Sequence, residues 1–164
     1  MPASPTAKPR TARKPAPRDL AELDRFVLTD VASHLLRRAH FRAEEIFARE
    51  FGPEGLTPRQ KALLITAYQN PGASQNELAE KIAIDRNSFA EMLSRMVANG
   101  YVRRERAKGD ARAYEIHITE RGIELLREVL PRDRLVEARV IEPLPEELRP
   151  LFIKCLKIMA GLEK

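Results

Sequence analysis

Two helix-opening signals eleven residues apart, at Ser74 and Asp85, constrain the fold more than anything else in the chain. Ser74 is followed three residues later by Glu77, the reciprocal pattern of a capping box. Asp85 opens the next helix, which runs to about Asn99 and is stopped by Gly100. Between them Ile82-Ala83-Ile84 leaves room only for a brief turn. Two short helices joined in this way form a helix-turn-helix. Upstream, Thr57 with Pro58 behind it caps a helix to about Tyr68, and Asn70-Pro71-Gly72 turns the chain. Downstream, 101–106 and 112–118 read as strands, with Tyr114, Ile116 and Ile118 alternating against Glu115 and His117. Lys108-Gly109-Asp110 turns between them, so a two-stranded wing follows the helix-turn-helix.

Long helices are expected on both sides. From Leu20 to about Glu50, one apolar row runs Leu20, Leu23, Val27, Val31, Leu35, and a second runs Leu28, Ala32, Leu36, Ala43, Phe47. Gly52-Pro53 and Gly55 end that helix. Thr119 caps another to about Val140, broken or bent near Pro131. A last amphipathic helix after Pro143 and Pro145 carries Leu148, Leu151, Phe152, Cys155, Leu156, Ile158, Met159 and Leu162. A lobe of some sixty residues cannot cover so much apolar surface, which predicts a homodimer. The expected architecture is mainly α, an α+β winged helix. A winged helix-turn-helix lobe over 57–118 lies between dimerisation helices at 20–50 and 119–163, all within one domain over 19–164.

Composition excludes most alternatives. The chain has 164 residues, 7 glycines and one cysteine, and lacks the GxGxxG and GxxxxGK loops that cradle phosphates. Cys155 cannot form an intramolecular disulfide or a cysteine zinc cluster, and on an apolar face it reads as a small core residue. His34 and His40 stand six apart, on different sides of a helix, so no metal is expected. No nucleophile–base arrangement sits at a strand–turn–helix, so neither an enzyme nor a cofactor is expected. No 18-residue apolar run spans a membrane, and the basic N-terminus lacks the apolar stretch of a secretory signal, which points to the cytoplasm.

Charge is unevenly placed. The net charge of +5 resides in residues 1–18, where Lys8, Arg10, Arg13, Lys14 and Arg18 meet no acid. With five prolines as well, that segment reads as a disordered basic arm, either following phosphates or merely solvated. A second basic cluster, 101–114, falls on the wing.

The segment Asp110-Ala111-Arg112 followed by Ile118-Thr119-Glu120-Arg121-Gly122, together with the stretch LAEKIAIDRNSFAEMLSRMVANGYVRRE, resembles the MarR family of bacterial transcriptional regulators over roughly residues 20–163. The two short segments match the family's D-x-R wing motif and the (L/I)-T-x-x-G that opens its dimer helix. The resemblance implies that Arg112 enters a minor groove while Asp110 orients it or a neighbouring arginine, with a turn salt bridge as the alternative.

From periodicity, Phe89, Met92, Leu93, Met96 and Val97 face the core of the second helix, leaving Arg86, Asn87, Ser88, Glu91, Ser94 and Arg95 to read DNA. Ser74 and Gln75 at a helix N-terminus, and Arg106 and Lys108 on the wing, complete the expected DNA contacts. On the first helix, His34, Arg37, Arg38, His40 and Arg42 interrupt the apolar rows. In a MarR-like fold this helix lies between dimer interface and DNA-binding lobe, where the family binds small, often anionic effectors. These side chains either hold an aromatic acid or an acyl-coenzyme A thioester, or pair with Glu44, Glu45 and the C-terminal acids. The expected function is a homodimeric regulator of double-stranded DNA, a repressor of a catabolic or efflux operon released from a palindromic operator by such a ligand. The alternative is a winged-helix protein-interaction module.

Overall fold

The structure, a computed structural model, describes residues 25–52, 55–107 and 110–163, and the side chains of all of these except 110–113. The chain divides into two compact units at Arg37/Arg38. In the first, Leu28–Asp30 form a single 3-10 turn between extended residues Val27 and Val31, and Phe26, Val27 and Leu28 are exposed.

Helix α1 spans Ala32–Phe51. It does not begin at Leu20: residues 1–24 lie outside the described residues, and Val31 is already extended, its carbonyl accepting the first helical bond from Leu35 N–H. The cause is local. Thr29, Asp30 and the β-branched Val27 and Val31 favour turn and extended backbone over helix, so the two apolar rows are not one continuous helix.

The second unit is built on caps. Thr57 and Gln60 form a reciprocal capping box that opens α2, Pro58–Gln69. Ser74 and Glu77 do the same for α3, Gln75–Lys81, and Asp85 caps α4, Arg86–Ala98. Strands β1, Val102–Ala107, and β2, Asp110–Ile118, pair antiparallel with Val102 opposite Ile118 and a register shift at Arg106/Ala107. Both strands reach further towards the turn than the sequence reading has them: β1 includes Ala107, and β2 starts at Asp110, a residue that reading places in the turn. The other edge of β2 is held as well: Ile116 N–H donates to Ala73 O at 3.0 Å, and Glu115 bridges Ser74.

Helix α5, Glu120–Ile141, runs unbroken through Pro131. Pro131 is exposed, while Val129, Asp133 and Val136 on the buried side keep the helix seated, which outweighs the one lost backbone bond. Helix α6, Arg149–Met159, follows a 3-10 turn at Glu146–Leu148 and buries no residue. Cys155 is therefore exposed, not in the core.

Leu63, Leu64, Leu78, Phe89, Met96, Val102 and Ile116 fill the centre of the lobe and are essentially inaccessible. Leu126 and Val129 extend the same core onto α5. Where α2 crosses α5, Lys61 Nζ lies 2.5 Å from Asp133 Oδ1 and 3.3 Å from Glu137 Oε1. The ammonium also stands 5.3 Å from the Phe47 ring centroid. Beside it, Glu50 takes Arg132 and Arg139, each at 3.1 Å, and Arg132 stacks over Phe51 at 4.7 Å.

The side chains of Lys61 and Asp133 are both nearly buried, so an unpaired charge at either position is expensive. Lys61→Met should cost about 3 kcal/mol in urea unfolding at neutral pH. Asp133→Leu should cost less, because Glu137 remains beside the ammonium. The double substitution should recover most of the larger loss; an additive loss would show that the pair is not coupled.

Candidate nucleic-acid interface

The position of α4 is fixed at both ends. Asp85 Oδ1 accepts the N–H groups of Asn87 at 3.1 Å and Ser88 at 3.0 Å. These bonds, Ser88's first, hold the Asp85 carboxyl below the usual aspartate range. The turn before it bends at Ala83, whose φ of 53° lies in the left-handed region. At the other end Gly100 takes φ +73°, a conformation open to glycine without strain. Thr119 then clasps the helix end to α5. Its hydroxyl donates to Gly100 O at 2.6 Å or Tyr101 O at 3.1 Å, and accepts Gly122 N–H at 3.1 Å. A Cβ on Gly122 would collide with the Tyr101 carbonyl. The T-x-x-G spacing is thus the geometry of a joint: a hydroxyl that ties three segments together, and a glycine that lets two backbones touch.

Phe89, Met92, Leu93 and Met96 of α4 are buried as expected, but Val97 is 38% exposed. At 100° per residue, the outward surface divides into two sectors. Arg86, Asn87 and Ser94 share one with Ala90, Val97 and Ala98, all exposed. Ser88, Glu91 and Arg95 turn to the neighbouring sector, where they line a cavity of about 650 Å³. Its other walls are Glu44 and Phe47 of α1, Leu56, Thr57, and Arg59 at the start of α2. The six residues predicted to face DNA therefore lie on two surfaces. Sequence reading missed Arg59 as a cavity residue, although its place just inside the Thr57 cap is a signal for a cation near a helix start.

Ser74 and Gln75 are half-buried at the start of α3. Ser74 N–H donates to the Glu77 carboxylate at 2.7 Å, and Ser74 Oγ accepts Glu77 N–H at 3.3 Å. The backbone bond to Ser74 holds the Glu77 carboxyl below its ordinary range. Arg106 is exposed on β1. Lys108 lies outside the described residues, as do the side chains of Asp110 and Arg112, although both of the latter are in β2. On α1, Arg38, His40 and Arg42 are exposed, His40 lies 3.4 Å from Glu44, and none of the three lines the cavity. In the first unit, His34 is half-buried and Arg37 exposed.

The sequence profile of the MarR family matches residues 56–114, the span of this lobe. A protein of Thauera aromatica assigned to regulation of the hcr operon is 33% identical over 117 residues, 71% of this chain and 70% of its own. The chain belongs to the MarR family. It is a winged-helix transcriptional regulator, not an enzyme. The HTH-type transcriptional repressor NicR of Pseudomonas putida is 29% identical over 127 residues, 77% of this chain and 78% of NicR. The solved structure of the repressor CouR bound to a 23-mer DNA duplex is similar at TM-score 0.74 and 27% identity, over 88% of this chain and 99% of CouR. No helix among the described residues of this MarR-family regulator is long and apolar enough to cross a membrane.

Both depressed carboxyls tie helix formation in the lobe to pH. A carboxyl held low in the folded state stabilises above its unfolded value and loses that contribution as pH falls through the folded one. The urea midpoint of the wild type should therefore fall from about pH 5 downward. In Asp85→Ser, which retains a cap without a titrating group, that fall should be smaller. Equal slopes in the two proteins would show that Asp85 does not carry the dependence.

Proposed function

We propose that this MarR-family regulator is a homodimeric repressor of a catabolic or efflux operon, acting in the cytoplasm and released from a palindromic operator by a small anionic ligand. The observation that carries the proposal is the fixed geometry of α4, capped by Asp85 and clasped by Thr119, with an exposed sector of Arg86, Asn87 and Ser94. Those side chains supply donors and acceptors for base edges. Ser74 and Gln75 would hold phosphates, and Arg106, Lys108 and Arg112 would carry the wing onto the backbone and minor groove, with Asp110 orienting Arg112. Two relatives support the reading: NicR is named a repressor, and CouR is a repressor described on duplex DNA.

The homodimer reading rests on apolar surface that one chain leaves open. Leu135, Leu148, Leu151, Ile158, Met159 and Leu162 are all exposed, at 44% to 76%. A second copy of this face would cover them. Leu151→Asp should convert a sedimenting dimer into monomer at micromolar concentration, and an unchanged dimer would place the interface elsewhere.

The effector seat is the cavity shared by α1, α2 and α4. Phe47, Leu56 and Met92 offer an apolar wall, and Arg59 and Arg95 offer a cationic one for an aromatic acid or the acyl end of a coenzyme A thioester. The cationic residues His34, Arg37, Arg38, His40 and Arg42 are the competing seat. One assay tests the whole reading: fluorescence anisotropy on a duplex recovered from DNA the protein retains from its own genome. Arg112→Ala should weaken binding by about 1–3 kcal/mol without unfolding the protein. Aromatic acids and their thioesters should release the wild type, and Arg59→Ala should lose that response with basal affinity intact. If Arg38→Ala loses it and Arg59→Ala does not, the seat is on α1.

A further inference from the structure

The wing has two chemically different faces. Alternation along β1 and the antiparallel register place Val102, Arg104 and Arg106 on one face with Ile118, Ile116 and Tyr114 opposite them. At its base this face is buried, with Val102 and Ile116 in the lobe core. Towards the tip it becomes cationic and aromatic: the Arg104 guanidinium lies 3.9 Å from the Tyr114 ring centroid, and that of Arg106 lies 5.8 Å from it. The other face carries Glu105 and Glu115. Arg103 is ion-paired to Glu105, and His117 Nε2 stands 3.7 Å from Glu105 and 3.3 Å from Glu115. Glu105 and Glu115 are direct cross-strand partners, so two carboxylates oppose one another there.

We propose that the basic face of the wing meets the nucleic-acid backbone through Arg104, and that Tyr114 is the positioning residue that aims it. Stacking occupies only the flat face of a guanidinium and leaves its in-plane N–H donors free, and that fork matches the oxygens of a phosphate. An exposed arginine without such a platform samples many rotamers and gives up that freedom on binding; Arg104 has given up much of it already. The platform is itself rigid, because β2 is held by β1 on one edge and by Ala73 and Ser74 on the other. Arg103, although adjacent in sequence, is committed to Glu105 on the acidic face. Among the described side chains no carboxylate lies within ion-pair distance of Arg104. The contact is with phosphate and therefore indifferent to sequence. This inference rests on the DNA-binding reading above and adds two residues that motif spacing did not single out.

The test uses the full chain and a mixed-sequence duplex, on which binding is dominated by phosphate contacts and log K falls linearly with log salt. Arg104→Ala should weaken binding several-fold and flatten the salt slope by about 0.9 per bound wing. Arg103→Ala should leave the slope unchanged. Tyr114→Leu should weaken binding several-fold with the slope kept, since the charge remains, and Tyr114→Phe should behave as wild type. The deciding measurement is the double variant: once Arg104 is alanine, Tyr114→Leu should cost clearly less than it does in the wild type, the remainder being the support that Arg106 takes from the same ring. A purely structural Tyr114 would cost the same in both backgrounds, and that result would overturn the proposal. So would a wild type whose salt-dependent binding is untouched by Arg104→Ala. A wild type that binds no duplex at any salt would instead sink the DNA-binding reading, and this inference with it.

Discussion

Lys61 and Asp133 meet where the lobe joins the long helix behind it, and the geometry of the site is referred to that contact. A salt bridge this enclosed contributes little net stability, because desolvating two ions offsets most of their attraction. What it enforces is register. Sliding α2 along α5 by one turn would strand a carboxylate or an ammonium away from water, at a cost several times that of a displaced leucine pair. Around it Glu50 gathers Arg132 and Arg139, and Phe47 and Phe51 stack at 4.4 Å beneath their cations. The lobe core supplies the bulk of the stabilisation, and this polar joint fixes how that core is seated on α5.

The parts of the fold legible in the sequence are those fixed by short-range chemistry. Thr57, Ser74, Asp85 and Thr119 cap helices where their spacing says they should, because a hydroxyl or carboxylate two or three residues ahead of free N–H groups needs no tertiary help. The four buried positions of α4 followed from periodicity for the same reason. The failures have separate causes. Apolar spacing joined Leu20 to Phe47, yet β-branched and turn-forming residues around Val31 end the regularity. Pro131 reads as a break or a bend, and α5 is not broken there, since burial on the opposite side holds the helix through it. Ala83 takes a left-handed backbone with no glycine to announce it.

The site was half legible. Helical phase separated core from surface on α4, but it could not divide the surface between solvent and a cavity whose other walls include Glu44, Phe47, Leu56 and Arg59. Charge counting marked the wing as basic, and the fold shows why a count is a blunt instrument there. Glu105 and Glu115 fall opposite one another and take Arg103 and His117 with them, so these two acids lie on one face. Only the pairing register of the two strands reveals that Arg104 and Arg106 share the other face with Tyr114.

The division of α4 into two sectors bears on how a ligand would act. Ser88, Glu91 and Arg95 line the cavity, and Arg86, Asn87 and Ser94 lie within about half a turn of them on the same rigid cylinder. Because the helix is capped at Asp85 and clasped at Thr119, a ligand in the cavity cannot draw one sector aside without rotating the other. Under the proposed function, no long relay is then required: the two sites share one element, which is the physical requirement for coupling. The strength of that coupling is limited by how much better the ligand binds one helix orientation than the other, typically 1–3 kcal/mol. A cavity open to solvent on one side suits that modest range, since water competes for Arg59 and Arg95 in either orientation. In the proposed homodimer, two-fold symmetry would make so small a bias sufficient: such a dimer must place two α4 helices in register on one duplex, so the same rotation in each protomer would count twice against binding.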